Sequence, residues 1–223
     1  MPSPLPFPYR AALLSAMLAI APAIAANEHP PAVSILQPGG YETADLDVSP
    51  LPRDGWLALV KRGGHWELVR TKIDLDPEIH SSSQPEALVF LHARRLSAGR
   101  VRTLAMQLPD GVDLPETAAD GKGKNQLAMR FGAQRYRLIL SAQGSDAGSN
   151  LVLDDGRTRT LLDTDTDSAQ LMWAGDLDHD GRLDLIISTD HEDGRSADTC
   201  LYLSSAAGKH QSVKKVACQS FSG

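Results

Sequence analysis

Short apolar runs that alternate with polar residues recur along this chain, and no segment carries a sustained apolar stripe at 3.6-residue spacing. A helix needs that stripe to bury one face, whereas a strand needs only every second residue, so the chain is restricted to sheets. Trp56–Val60 and Trp66–Val69 flank Gly63-Gly64, a two-residue hairpin turn by type. Pairing across it sets Leu59 opposite Leu68 and Lys61 opposite Trp66. Leu127, Met129 and Phe131 alternate like Tyr136, Leu138 and Leu140. A turn at Ala133-Gln134 would align Phe131 with Tyr136, Met129 with Leu138 and Leu127 with Leu140 on one face. Asp155-Gly156 marks a third turn, and 87–92 and 101–108 read as further strands. These signals predict an all-β protein of about a dozen strands, mainly antiparallel hairpins in a sandwich or an open barrel-like sheet stack.

The ends and connections set the expected organisation. Arg10, an apolar core from Ala11 to Ala21 and the small-x-small pattern Ala23-Ile24-Ala25 read as a cleavable signal peptide over 1–25, with the mature chain starting near Ala26. The apolar run is too short to span a bilayer and Pro22 interrupts it, so no transmembrane segment is expected in the mature protein. Periplasmic or secreted localisation follows. Residues 26–54, rich in Pro, Gly and Asp, are expected to run extended over the surface, with the all-β domain over 55–223. A polar connection at 109–125 offers a break between two sub-lobes.

Charge is concentrated in one place. Residues 163–193 hold ten of the 28 acids and only one of the 22 lysines and arginines, Arg182. The remainder, 18 acids against 21 bases, is nearly balanced, so the net charge of −6 reflects a local anionic site and gives no reason to expect nucleic acid as a partner. Within that region Asp176, Asp178, Asp180 and Asp184 sit at loop positions 1, 3, 5 and 9, with Gly181 at position 6. Alternate carboxylates line the inside of a tight turn, the glycine permits the backbone reversal, and Arg182 at position 7 would offer its main-chain carbonyl. Ca²⁺ takes about six to eight hard oxygens in flexible geometry, which this pattern can largely supply; Mg²⁺ demands a smaller octahedral shell. Position 12 is Ile187, where a helix-loop-helix calcium hand needs Glu, and Leu185-Ile186-Ile187-Ser188 reads as a buried strand.

A strand, an Asp-x-Asp-x-Asp-Gly loop and a second strand, from Leu171 to Ser188, resemble the FG-GAP/VCBS type of repeat found in integrin-like propellers and secreted bacterial proteins. The resemblance implies Asp176, Asp178, Asp180 and Asp184 as side-chain calcium ligands and Arg182 as a carbonyl ligand. It does not imply a complete propeller, because the full motif occurs once and one repeat cannot bury its own faces. Asp163-Thr-Asp165-Thr-Asp167 has the alternation but lacks the glycine, and reads as a solvated turn before the next strand.

Cys200 and Cys218 are the only cysteines. A hairpin whose opposed residue numbers sum to 418 pairs them, together with Tyr202 and Val216, and an oxidising compartment would close a disulfide worth about 3 kcal/mol. No nucleophile elbow, zinc helix, phosphate loop or Cys-x-x-Cys is present. Trp56, Trp66 and Trp173 could offer a platform to a glycan or peptide if exposed, though strand aromatics ordinarily pack in the core. The expected function is therefore that of an exported calcium-binding β-protein with a structural or binding role in the cell envelope. A periplasmic hydrolase using Asp190, His191 and Glu192 beside the acidic loop, and an adhesin-like module for a glycan or protein ligand, are the alternatives.

Overall fold

A computed structural model describes residues 32–39, 51–75, 78–104, 111–114, 124–144, 147–191 and 196–222. The strands are β1 (Val33–Leu36), β2 (Leu57–Arg62), β3 (His65–Arg70), β4 (Val89–Ala93), β5 (Gly99–Arg100), β6 (Arg102–Thr103) and β7 (Val112–Leu114). They continue as β8 (Lys124–Phe131), β9 (Gln134–Gly144), β10 (Ala147–Asp154), β11 (Arg159–Asp176), β12 (Asp184–His191), β13 (Ser196–Leu203) and β14 (Lys214–Ser222). A single 3-10 turn, Ser204–Ala206, is the one helical element among the described residues, and no helix there is long and apolar enough to cross a membrane.

The strands form a five-stranded sheet, β1-β4-β2-β3-β5, and a nine-stranded sheet, β14-β13-β12-β11-β10-β9-β8, with β6 and β7 also paired to β11. Every pairing is antiparallel. The nine-stranded sheet ends in β8 and β14 without closing into a barrel, so the fold is a sandwich-like stack, as the alternation predicts.

Strands β12 and β13 are buried on both faces. Leu185, Ile187, Cys200 and Tyr202 point to one core, where Met129, Phe131, Leu138, Leu140, Leu151 and Leu153 of β8–β10 close over them. Ile186, Leu201 and Leu203 point to the other core and meet Ile35, Leu57, Leu59, Leu68 and Leu91 of the five-stranded sheet. A strand covered on both sides has no solvent face, so Leu185-Ile186-Ile187 is continuous instead of alternating. Each such fully buried side chain contributes about 1.5–3 kcal/mol.

β11 makes this layering possible. Its first part, through Thr166, pairs with β10, and from Thr166 onward it pairs with β12. Register shifts fall around this handover, and Asp165 takes a positive φ of 56°. Bulges bend a strand and increase its twist, which lets β8–β10 turn over the outer face of β11–β13. The Asp163–Asp167 alternation is thus the bent middle of a strand, where the sequence predicted a solvated turn.

Other registers depart from expectation in instructive ways. Leu59 lies opposite Leu68 and Lys61 opposite Trp66, as predicted. In the β8–β9 hairpin, however, Phe131 pairs with Gln134, Met129 with Tyr136 and Leu127 with Leu138. Gly132, at φ 59°, permits a turn at Gly132-Ala133, two positions tighter in register than Ala133-Gln134. A shift of two keeps every side chain on its face, so the core is unchanged. Residues Val33–Leu36, expected on the surface, form β1 on β4 with Ile35 and Leu36 buried. The change of sheet comes at Val101, ahead of the 109–125 connection, in which β7 lies and 115–123 fall outside the described residues. The expected signal segment, 1–25, also lies outside them.

Cys200 and Cys218 face each other across β13–β14 and form a disulfide. Tyr202 pairs with Lys215 instead of Val216, because a bulge follows Leu201. Trp56 and Trp173 are core residues, 1% and 2% exposed, and Trp66 is half-buried against the inter-sheet core, so the tryptophans make no platform.

Candidate metal centre

The loop 177–183 joins β11 to β12, and its geometry follows from the two strands it connects. Gly175 lies opposite Asp184 in the ladder, so the last residue of β11, Asp176, and the first of β12 converge at the mouth of the loop. Both carboxylates are buried, Asp176 at 5% exposure and Asp184 at 0%. The loop reverses through two left-handed residues, His179 at φ 62° and Gly181 at φ 81°. His179, at loop position 4, is exposed.

Backbone amides wrap the carboxylates. Gly181 N donates to Asp176 Oδ2 at 3.0 Å, Asp180 N to Asp178 Oδ1 at 3.3 Å and Arg182 N to Asp180 Oδ1 at 2.8 Å. Carboxylate oxygens of Asp176, Asp178 and Asp184 lie within 4.8 Å of one another. Asp180 is not part of that group. Its Oδ2 accepts from the Arg182 guanidinium at 2.8 and 2.9 Å, and its two oxygens accept from Ser204 Oγ at 3.1 and 3.0 Å. Desolvation works to raise its carboxyl, but the bonds from Arg182 N, Ser204 and the guanidinium outweigh this and hold it below the usual range. The Arg182 side chain is engaged by Asp180 in this way, a contact that the sequence reading, concerned with its carbonyl, did not foresee.

Asp184 is the most enclosed of the four. Its Oδ2 accepts Leu177 N at 2.8 Å, and its Oδ1 accepts both Ser204 N at 2.8 Å and Ser204 Oγ at 2.9 Å. Burial pushes its carboxyl up to about 7; the Ser204 and Leu177 bonds oppose the rise, and the nearby Asp178 charge adds to it. Asp176 differs in one respect. Its Oδ1 is buried with no hydrogen-bond partner, beside two other carboxylates. An unsatisfied buried oxygen of this kind costs about 1–3 kcal/mol, more when charged. The donor set is oxygen alone, hard and anionic, which suits a Ca²⁺-type cation and not a thiophilic metal.

Two contributors were not read from the sequence. The 3-10 turn after β13 brings Ser204 against Asp180 and Asp184, and Ser205 Oγ donates to Asp178 Oδ2. The β12–β13 register, Leu185 opposite Tyr202, carries residue 204 to the loop. That register was the available signal.

Two residues of the alternative site, Asp190 and His191, lie among the described residues. Asp190 turns to Ser168, whose Oγ donates at 2.6 Å, while His191 Nε2 meets Asp198 Oδ2 at 3.3 Å; Glu192 lies outside the described residues. Asp163 joins His191 and Asp198 within 4.8 Å, but Lys215 Nζ donates to it at 3.1 Å and Thr189 Oγ1 at 3.4 Å. This second group is therefore held by hydrogen bonds and by the Lys215–Asp163 ion pair.

Comparison with protein-family models, curated proteins and solved structures gives no match to this chain.

Proposed function

We propose that this is an exported calcium-binding β-protein in which the ion has a structural task, supporting a binding or architectural role in the cell envelope. The observation that carries the reading is Asp176 Oδ1, a buried carboxylate oxygen without a hydrogen-bond partner, on a residue that clusters with Asp178 and Asp184. A Ca²⁺ ion there would be held by Asp176, Asp178 and Asp184, with Asp180 and the Arg182 carbonyl able to join by a small loop adjustment. It would neutralise carboxylates that otherwise repel and would tie the β11–β12 loop to the Ser204–Ser205 turn. The disulfide and the signal-like N-terminal segment agree with an oxidising, calcium-containing compartment. The site is walled by loop backbone and by Ser204 and Ser205, which bind its carboxylates and suit a structural role.

Thermal unfolding with calcium and with chelator tests this. A ligand that binds only the folded state at 100 times its Kd adds about 2.7 kcal/mol. The wild type is expected to melt higher in calcium, and Asp176→Asn to melt alike in both. Identical wild-type melting in calcium and chelator would sink the proposal.

A further inference from the structure

The outer face of the β8–β10 arm carries a second feature, in which charge is arranged against stability. Arg130 lies directly opposite Arg135 in the β8–β9 ladder, one step from the Gly132-Ala133 turn. Like charges at directly opposed strand positions destabilise a hairpin, and neither side chain has a carboxylate partner among the described residues. The next row on the same face runs Ala128, Arg137, Asp154, Arg159 across four strands. Asp154 Oδ2 binds Arg137 at 2.7 Å and Arg159 at 3.6 Å, so this one acid serves two arginines and leaves Arg130 and Arg135 uncompensated. In that row Ala128 contributes only a methyl group, and an open groove of about 810 Å³ runs beside it, bounded by Arg130, Arg135, Arg137, Asp154 and the Asp155-Gly156 turn.

We propose that this groove binds an acidic polysaccharide, a chain of sugars bearing carboxylates or sulfates. Guanidinium groups bind planar oxyanions through paired hydrogen bonds, and although Arg130 Nε donates to Gly132 O at 3.3 Å, the two arginines lack carboxylate partners and can share one such group. The groove is low at Ala128, whose exposed methyl group suits the C–H face of a sugar ring, while the Met129 and Tyr136 side chains turn away to the core. Nucleic acid fits less well, because stacking needs an exposed aromatic face and Tyr136 is half-buried against the core. A lipid surface fits less well too, since Leu161 is the one exposed large apolar side chain among the described residues. No groove residue belongs to the aspartate loop, so this inference stands whether or not the loop holds calcium.

The test is fluorescence anisotropy of the full chain with labelled polygalacturonate, which carries carboxylates, and with heparin, which carries sulfates. Neutral dextran, single-stranded DNA and anionic phospholipid vesicles are the comparison ligands. Saturable binding to one or both acidic glycans is expected, stronger than to the comparison ligands. Arg130→Gln with Arg135→Gln should weaken it roughly 10- to 100-fold, the scale of losing charged hydrogen bonds. That double variant should melt no lower than wild type, since both residues are exposed and their repulsion is relieved. Ala128→Trp, which keeps every charge and fills the floor, should also abolish binding and separates a groove from a diffuse positive surface. No binding to either glycan, binding unchanged in both variants, or preference for DNA or vesicles would overturn the proposal.

Discussion

Ser204 donates twice to one oxygen: its amide reaches Asp184 Oδ1 at 2.8 Å and its hydroxyl reaches the same atom at 2.9 Å. A residue twenty positions further along the chain thus fixes the most buried carboxylate of the loop. The hydroxyl also touches both oxygens of Asp180, so it couples the buried and exposed halves of the site. Ser204→Ala keeps the amide bond and removes the hydroxyl. The expected loss is about 1–3 kcal/mol of stability, since a buried carboxyl loses one of its partners, read from the urea midpoint. Calcium affinity should fall about 10- to 100-fold, as when a group orienting a metal ligand is removed.

Asp184 also sets a pH dependence. Burial raises its carboxyl to about 7 in the fold, from the ordinary value of 3.8. Between those values the metal-free folded chain holds a proton that the unfolded chain has lost. Stability of the chelator-stripped protein should therefore be greatest near the lower value, fall as pH rises toward about 7 and then level off. Calcium binds the carboxylate form, so saturating calcium should remove the fall. Urea midpoints across that range, with and without calcium, check the sign.

Gly175 tests how tightly the site is braced from behind. A Cβ at this position would lie 2.3 Å from the Arg102 carbonyl oxygen and 2.5 Å from the Trp173 ring, because β6 crosses close to the end of β11. Gly175→Ala must push one of them away, at a cost of about 1–3 kcal/mol as for other overpacked sites. Asp176 is the next residue, so calcium affinity should weaken in the same variant, measured by titration.

The disulfide joins residues 18 apart in sequence and ties Cys200, buried in the core, to Cys218, exposed on β14. Replacing both Cys200 and Cys218 by Ala should cost about 3 kcal/mol on the chain-entropy scale, seen as a lower melting temperature under non-reducing conditions. Reductant should lower the wild type toward the variant and leave the variant unchanged.

Much of this fold was legible because strand periodicity is local. Alternation placed Leu127, Met129, Tyr136 and Leu138 on one face even though the hairpin register was off by two, since a two-residue shift preserves facing. The β2–β3 pairs and the Cys200–Cys218 pairing followed from turn position alone. The handover of β11 from β10 to β12 was hidden, because a bulged aspartate such as Asp165 looks the same in sequence as a turn aspartate. At the loop, the spacing identified Asp176, Asp178 and Asp184 as convergent. It could not show that Asp180 is drawn off by Arg182 and Ser204, because Ser204 arrives through the pairing of β12 with β13.

Isothermal titration of chelator-stripped protein with calcium tests the central claim most directly. The account predicts saturable binding of calcium at one site per chain, weaker binding of magnesium, and loss of the calcium signal in Asp176→Asn, which removes the charge while keeping the side chain's size. Absence of saturable calcium binding by the folded wild type, or equal binding by wild type and Asp176→Asn, would contradict it.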